Sequence, residues 1–173
     1  MFIKYIKEIS VKKLLKKTLH NVTPSKLQAS IQNVGIIVDE SYFQETETLL
    51  EQLVLQGIKK ENVTILIFKD KIKKNEIFLY PAFSFKEMHW NGSFASDKVT
   101  NFIQTPFDLL IGYYDTEKSP LLLVTHHSKA LFKSGFSSVN KKLFHLMIST
   151  NAENYQVFVH ELFRYLRILK KIE

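Results

Sequence analysis

The sequence predicts a three-layer α/β domain with a mainly parallel sheet, preceded by a basic amphipathic helix. Three observations carry this expectation. Short aliphatic runs at residues 34–38, 63–68, 107–111 and 144–148 read as buried strands, because β-branched residues suit strands covered on both faces. Stretches of helical periodicity separate those runs, the pattern of strands joined by crossovers. The charge is also unevenly placed. Residues 1–26 hold seven lysines and one acid, whereas the rest of the chain holds 17 basic and 16 acidic side chains.

The opening unit spans residues 33–57. Val34, Ile36, Ile37 and Val38 form its strand, and Asp39 or Ser41 is placed to cap the helix that follows, by accepting a bond from an orphan backbone N–H. Phe43, Leu49, Leu50, Leu53 and Val54 recur at helical spacing, and Gly57 fits the left-handed position past a helix end;. Residues 63–68 supply the next strand, so a right-handed parallel crossover is expected;. A charged loop from Lys69 to Asn75 leads to a short strand at residues 77–80, stopped by Pro81. Phe83, Phe85, Met88 and Trp90 form an aromatic group suited to core packing, or to stacking on a base or sugar;.

Ser96-Asp97 can cap a short helix carrying Phe102 and Ile103, and residues 107–111 read as the most buried strand. Ser119-Pro120 opens a helix over 121–128, since proline in the first turn loses no bond there;. Leu131 to Lys133 with Gly135 gives a short strand and turn, and residues 144–148 give the last strand. Asn151 is expected to cap a final helix bearing Tyr155, Phe158, Val159, Leu162, Leu166 and Leu169. The chain thus divides into a basic amphipathic helix at 1–24, a linker at 25–32 and a Rossmann-like α/β domain at 33–173.

In the first segment Phe2, Ile3, Ile6, Ile9, Leu14, Leu15 and Leu19 share a broad face, with Lys4, Lys7, Lys12, Lys13, Lys16 and Lys17 mainly on the other. Pro24 ends the helix before it. Three roles fit such a helix. It packs its stripe on the body, it meets RNA or ribosome phosphates through the lysines, or it lies on an anionic membrane with Phe2, Ile3 and Ile6 inserted. A protein partner is a further target.

Several chemistries lack their residues. There is no cysteine, which excludes disulfides and thiolate metal sites and fits a reducing, cytoplasmic location;. No apolar run reaches about 18 residues, so no transmembrane segment is expected, and no uninterrupted apolar leader marks a secretory signal. The first strand ends in Asp39-Glu40-Ser41, where a dinucleotide fold needs glycines and bare N–H groups;. No tight nucleotide binding, and no cofactor, is expected. The adjacent His126 and His127 would point about 100° apart on a helix, and His160-Glu161 is followed by Arg164 rather than a second ligand. No metal site is expected, and His145 reads as a packed histidine bonded to backbone.

Ligands of open parallel sheets bind beyond the carboxyl ends of the strands. That edge would gather Asp39, Lys69, Asp70, Tyr113, Tyr114, Asp115 and Ser149. Nothing among them fixes a nucleophile with its base, so no catalytic residue is assigned, and ordinary loop polarity is the plainer account.

The segments Phe107 to Ile111, Pro120-Leu121, Ser128 to Gly135 and Leu146 to Ile148, with Val34 to Ile37 and the basic N-terminal helix, resemble an uncharacterised family from Bacteroidota. That resemblance covers most of the chain and brings no activity with it. It implies aspartates after the strands Phe107 to Ile111 and Leu146 to Ile148, where this chain has Gly112 and Ser149. A fainter likeness, at the level of fold, runs to one domain of the glycosyltransferases of lipopolysaccharide cores. The function these readings favour is a non-catalytic cytoplasmic binding or scaffold protein, membrane-peripheral in one version. The alternative is a small transferase-type enzyme working at the carboxyl edge of the sheet.

Overall fold

A computed structural model describes residues 2–23 and 30–172, apart from the side chains of Phe2 and Ile3. Six strands form one sheet: β1 (Val34–Asp39), β2 (Val63–Phe68), β3 (Ala82–Phe83), β4 (Leu109–Tyr113), β5 (Phe132–Phe136) and β6 (Leu146–Ile148). Every pairing is parallel and the order is β3-β2-β1-β4-β5-β6. The order reverses between β1 and β4, whose register sets Val34 against Leu109 and Val38 against Tyr113. All residues of β1, β4 and β5 are buried, the signature of strands covered on both faces.

Among the described residues, five helices supply the covering. They are α1 (Phe2–Thr18), α2 (Thr46–Leu55), α3 (Asp97–Gln104), α4 (Ser119–His127) and α5 (Tyr155–Ile168). α2 packs with α5, while α1 and α3 both pack with α4, which gives a helical layer on each side of the sheet. The expected three-layer α/β fold is therefore present.

Local chemistry accounts for the boundaries. Gly57 adopts a φ of 99° after α2, and the Ile58 and Gly57 amides donate back to the carbonyls of Leu53 and Val54. That is a Schellman closure, with glycine in the left-handed position. Neither Asp39 nor Ser41 caps α2. The Asp39 carboxylate instead accepts from the Ser41 amide at 3.0 Å, and α2 begins only at Thr46 with Phe43 still in the preceding loop. Ser96 stands at the head of α3 without a side-chain cap bond. Asn151 caps a turn rather than α5, because its side chain accepts from Asn154 and the helix starts at Tyr155.

Residues 77–80 form no strand. Ile77 and Leu79 are 95% and 75% exposed, and the chain first pairs at β3, after the Pro81 carbonyl has accepted from Ile67. Strand β4 starts two residues later than expected. Asp108 lies just before it and accepts the backbone amides of Gln32 and Asn33 at 2.9 and 2.8 Å. Gly112 sits against the Phe144 ring, and a Cβ there would come within 2.9 Å of it. An aspartate at this position would have no room.

α1 is docked on the body. Val11, Leu15 and Leu19 belong to the buried core, and the space beside Gly92 is shared by Leu14 and Leu123 of α4. Pro24 and most of the expected linker, residues 24–29, lie outside the described residues, as do the Phe2 and Ile3 side chains expected to insert in a membrane.

Candidate functional site

Parallel pairing brings the carboxyl ends of the strands to one edge, and the order reversal opens a crevice between β1 and β4;. The side chain that fills it is Lys118, from the loop before α4. Its ammonium lies 2.7 Å from Asp39 Oδ2 and 3.1 Å from Asp70 Oδ1. It also stands over the rings of Tyr42 and Phe68, at 4.5 and 5.2 Å from their centroids. Lys118 and Asp39 are both buried, whereas Asp70 is partly open to solvent. The Asp70 amide donates to Ser41 Oγ, so the loops after β1 and β2 are tied to each other and to the start of α4.

Of the seven edge residues expected to gather, Asp39 and Asp70 meet at Lys118, and Tyr113 and Asp115 meet separately at Ala152. Lys69 turns away to pair with Glu76 at 2.5 Å, and that bond with the lysine holds the Glu76 carboxyl below its ordinary value. Tyr113 is buried, contacts the rings of Phe43, Phe136 and Phe158, and donates to the Ala152 carbonyl at 2.7 Å. Asp115 accepts the Ala152 amide at 2.9 Å. These two residues fasten the loop before α5. Tyr114 points into the opposite layer, where its hydroxyl lies 2.6 Å from Thr125 Oγ1. Burial pushes both phenols far above their ordinary value, so both stay protonated near neutrality. Ser149 is exposed.

Sequence reasoning misses Lys118. Its only signal is a lone lysine immediately ahead of the Ser119-Pro120 helix start. The neighbouring Glu40, a charge that repels phosphate, accepts a 2.5 Å bond from Thr46 Oγ1 at the head of α2. A helix N-terminus is where a dinucleotide fold receives pyrophosphate. Here a carboxylate stands beside that place, and the Lys118 ammonium bridges the neighbouring loops.

The six lysines expected to meet a polyanion fall on α1. Lys4, Lys12, Lys13, Lys16 and Lys17 are exposed and Lys7 is half-buried. Lys4 also covers the Phe85 ring at 4.1 Å, which places that ring in intramolecular packing. Tyr5, Ile6 and Ile9 are exposed at 62%, 44% and 47% on the same helix. The docked stripe is narrower than expected, with Val11 added and Ile6 and Ile9 left out. Among the described residues, no helix is long and apolar enough to cross a membrane, and no group of three or more His, Asp or Glu is placed to hold a metal ion.

No curated protein and no solved structure matches the chain. One family model does, over residues 7–169, and its description is a family of unknown function, DUF6913.

Proposed function

The chain belongs to this family of unknown function, and we propose that it is a non-catalytic, cytoplasmic, membrane-peripheral binding protein that docks on an anionic membrane surface through the outward side of α1. One observation carries the reading. α1 commits Val11, Leu15 and Leu19 to the body and leaves Lys4, Lys12, Lys13, Lys16 and Lys17 exposed together with Tyr5, Ile6 and Ile9. An interfacial helix needs both kinds of side chain, because apolar groups enter the headgroup boundary while cations meet anionic lipid. RNA phosphates would need the lysines alone. The carboxyl edge supports the non-catalytic part, since Lys118 engages its Asp39 and Asp70, Glu76 engages its Lys69, and Asp115 is held by the Ala152 amide.

Vesicle sedimentation tests this. The protein is expected to bind phosphatidylglycerol–phosphatidylcholine vesicles, to ignore pure phosphatidylcholine, and to release as salt rises. Each lysine near such a surface contributes about 1 kcal/mol. Replacing Lys12, Lys13, Lys16 and Lys17 by Gln should therefore weaken binding more than about a hundredfold. The outward Ile6→Ser/Ile9→Ser variant should also lose binding while remaining folded. A parent that ignores anionic vesicles at low salt, or that binds RNA or a protein partner with no contribution from Ile6 and Ile9, would overturn the reading.

A further inference from the structure

The opposite edge of the sheet holds a second basic feature, independent of α1's outward lysines. A cleft of ≈ 460 Å3 opens at the amino-terminal ends of β5 and β6, walled by the end of α4 and by the chain that follows α1. We propose that this cleft binds a small phosphorylated, hydroxyl-bearing compound of the sugar-phosphate class.

Charge is the first argument. Lys129, Lys133 and Lys142 line the cleft from three different segments, and among the described residues no aspartate or glutamate lines it. Lys133 is only 7% exposed. Its ammonium donates to the carbonyls of Thr125 at 2.7 Å and His126 at 3.3 Å, in the last turn of α4. An ammonium has three donors, and among the described residues two carbonyls take two of them. Burial alone pulls its pKa down to about 8, with no carboxylate contributing. Near neutrality it is therefore a buried cation held by carbonyl dipoles, and buried cations call for an anion. A phosphate monoester, with up to two charges and three acceptor oxygens, suits a cleft lined by three lysines, of which Lys142 also donates to the Leu19 carbonyl at 3.4 Å.

Size and polarity are the second argument. The volume falls within the ordinary range for small-molecule sites. Asn21, Thr23 and Ser128 also line the cleft, and the Ser128 hydroxyl oxygen already accepts the Ala130 amide at 3.2 Å, which leaves its proton to donate. These groups suit ligand hydroxyls rather than a lipid tail.

The wall of the cleft is also held in place. His145 Nδ1 accepts the Lys133 backbone amide at 2.9 Å, and its Nε2 lies 2.8 Å from the Thr23 carbonyl. A ring that accepts on one nitrogen donates on the other, which fixes the neutral tautomer. Burial is the main cause holding its pKa below the ordinary imidazole value. The Thr23 segment is thus pinned over the cleft by an uncharged side chain.

Calorimetry at low salt with ribose 5-phosphate, inorganic phosphate and ribose tests the assignment. Ribose 5-phosphate is expected to bind more tightly than phosphate, and ribose not at all. The amides of Lys133 and His145 should shift in NMR spectra on its addition. Lys129 and Lys142 are exposed, so Lys129→Gln/Lys142→Gln should keep the fold and weaken binding by more than about tenfold, given the strength of charged hydrogen bonds. Lys133→Met should abolish binding; if that variant does not fold, the exposed pair alone is decisive. No binding by the parent, parent-like affinity in the exposed pair variant, or phosphate binding as tightly as ribose 5-phosphate would each overturn the assignment. None of the three lysines lies on α1, so a failed vesicle experiment leaves this result untouched, and the reverse holds.

Discussion

At the scale of single residues, two buried lysines behave in opposite ways. Lys118 is paired, so removing it strands Asp39 as an unpaired buried carboxylate. Lys118→Met is expected to cost about 3–5 kcal/mol, as for other broken buried pairs, and Asp39→Asn on top should recover part of it. Urea unfolding of the two single variants and the double variant measures this, and a loss under about 1 kcal/mol would make the cross-link dispensable. Lys133 lacks a carboxylate, and its pKa is near 8 when folded against 10.5 when free. Between those values the unfolded chain binds more protons, so the stability contribution rises with pH. The cost of burying the charge, at most about 3 kcal/mol, should be relieved across that window in the parent and not in Lys133→Met. Equal pH slopes for the two proteins would show that Lys133 is not the group responsible. Asp39 and Asp70 were legible from sequence because parallel strands bring their ends to one edge. Lys118 was not, since it reaches into the crevice from a loop and no periodicity records where a loop side chain points. Lys69 does not join Asp39 and Asp70 because Glu76, seven residues on, captures it.

At the scale of elements, hydrophobic period located the helices and the buried strands, but partners set their limits. Residues 77–80 look like a strand by composition, yet they run clear of β2 with Ile77 in solvent. α1 shows the same limit. Its apolar residues cover so much of the helix that several faces could have docked, and only tertiary contact chose Val11, Leu15 and Leu19. That choice has measurable consequences. Leu15→Ala on α1 and Leu110→Ala at the centre of β4 should each cost about 2–5 kcal/mol, the range for buried leucines. Ile6→Ala, which touches solvent, should stay within about 0.5 kcal/mol of the parent. Thermal or urea denaturation distinguishes these outcomes, and an unaffected Leu15→Ala variant would mean that α1 stands free of the body.

At the scale of the whole molecule, the pattern of short strands and crossovers made the α/β class legible, whereas the strand order and the filled crevice depend on side chains that meet only in three dimensions. The sheet ends in strands of two and three residues, β3 and β6, which leaves little unpaired backbone for another chain to join. The docking of α1 has a consequence for biosynthesis. α1 ends at Thr18 and its receiving helix α4 begins at Ser119, so the ribosome makes the helix about 100 residues before the surface that covers it. At ~5–20 residues per second that is a wait of roughly 5–20 s. During it, a basic helix with its inner stripe of Val11, Leu15 and Leu19 uncovered is open to nascent-chain chaperones or to lipid, before any competition from its own fold exists.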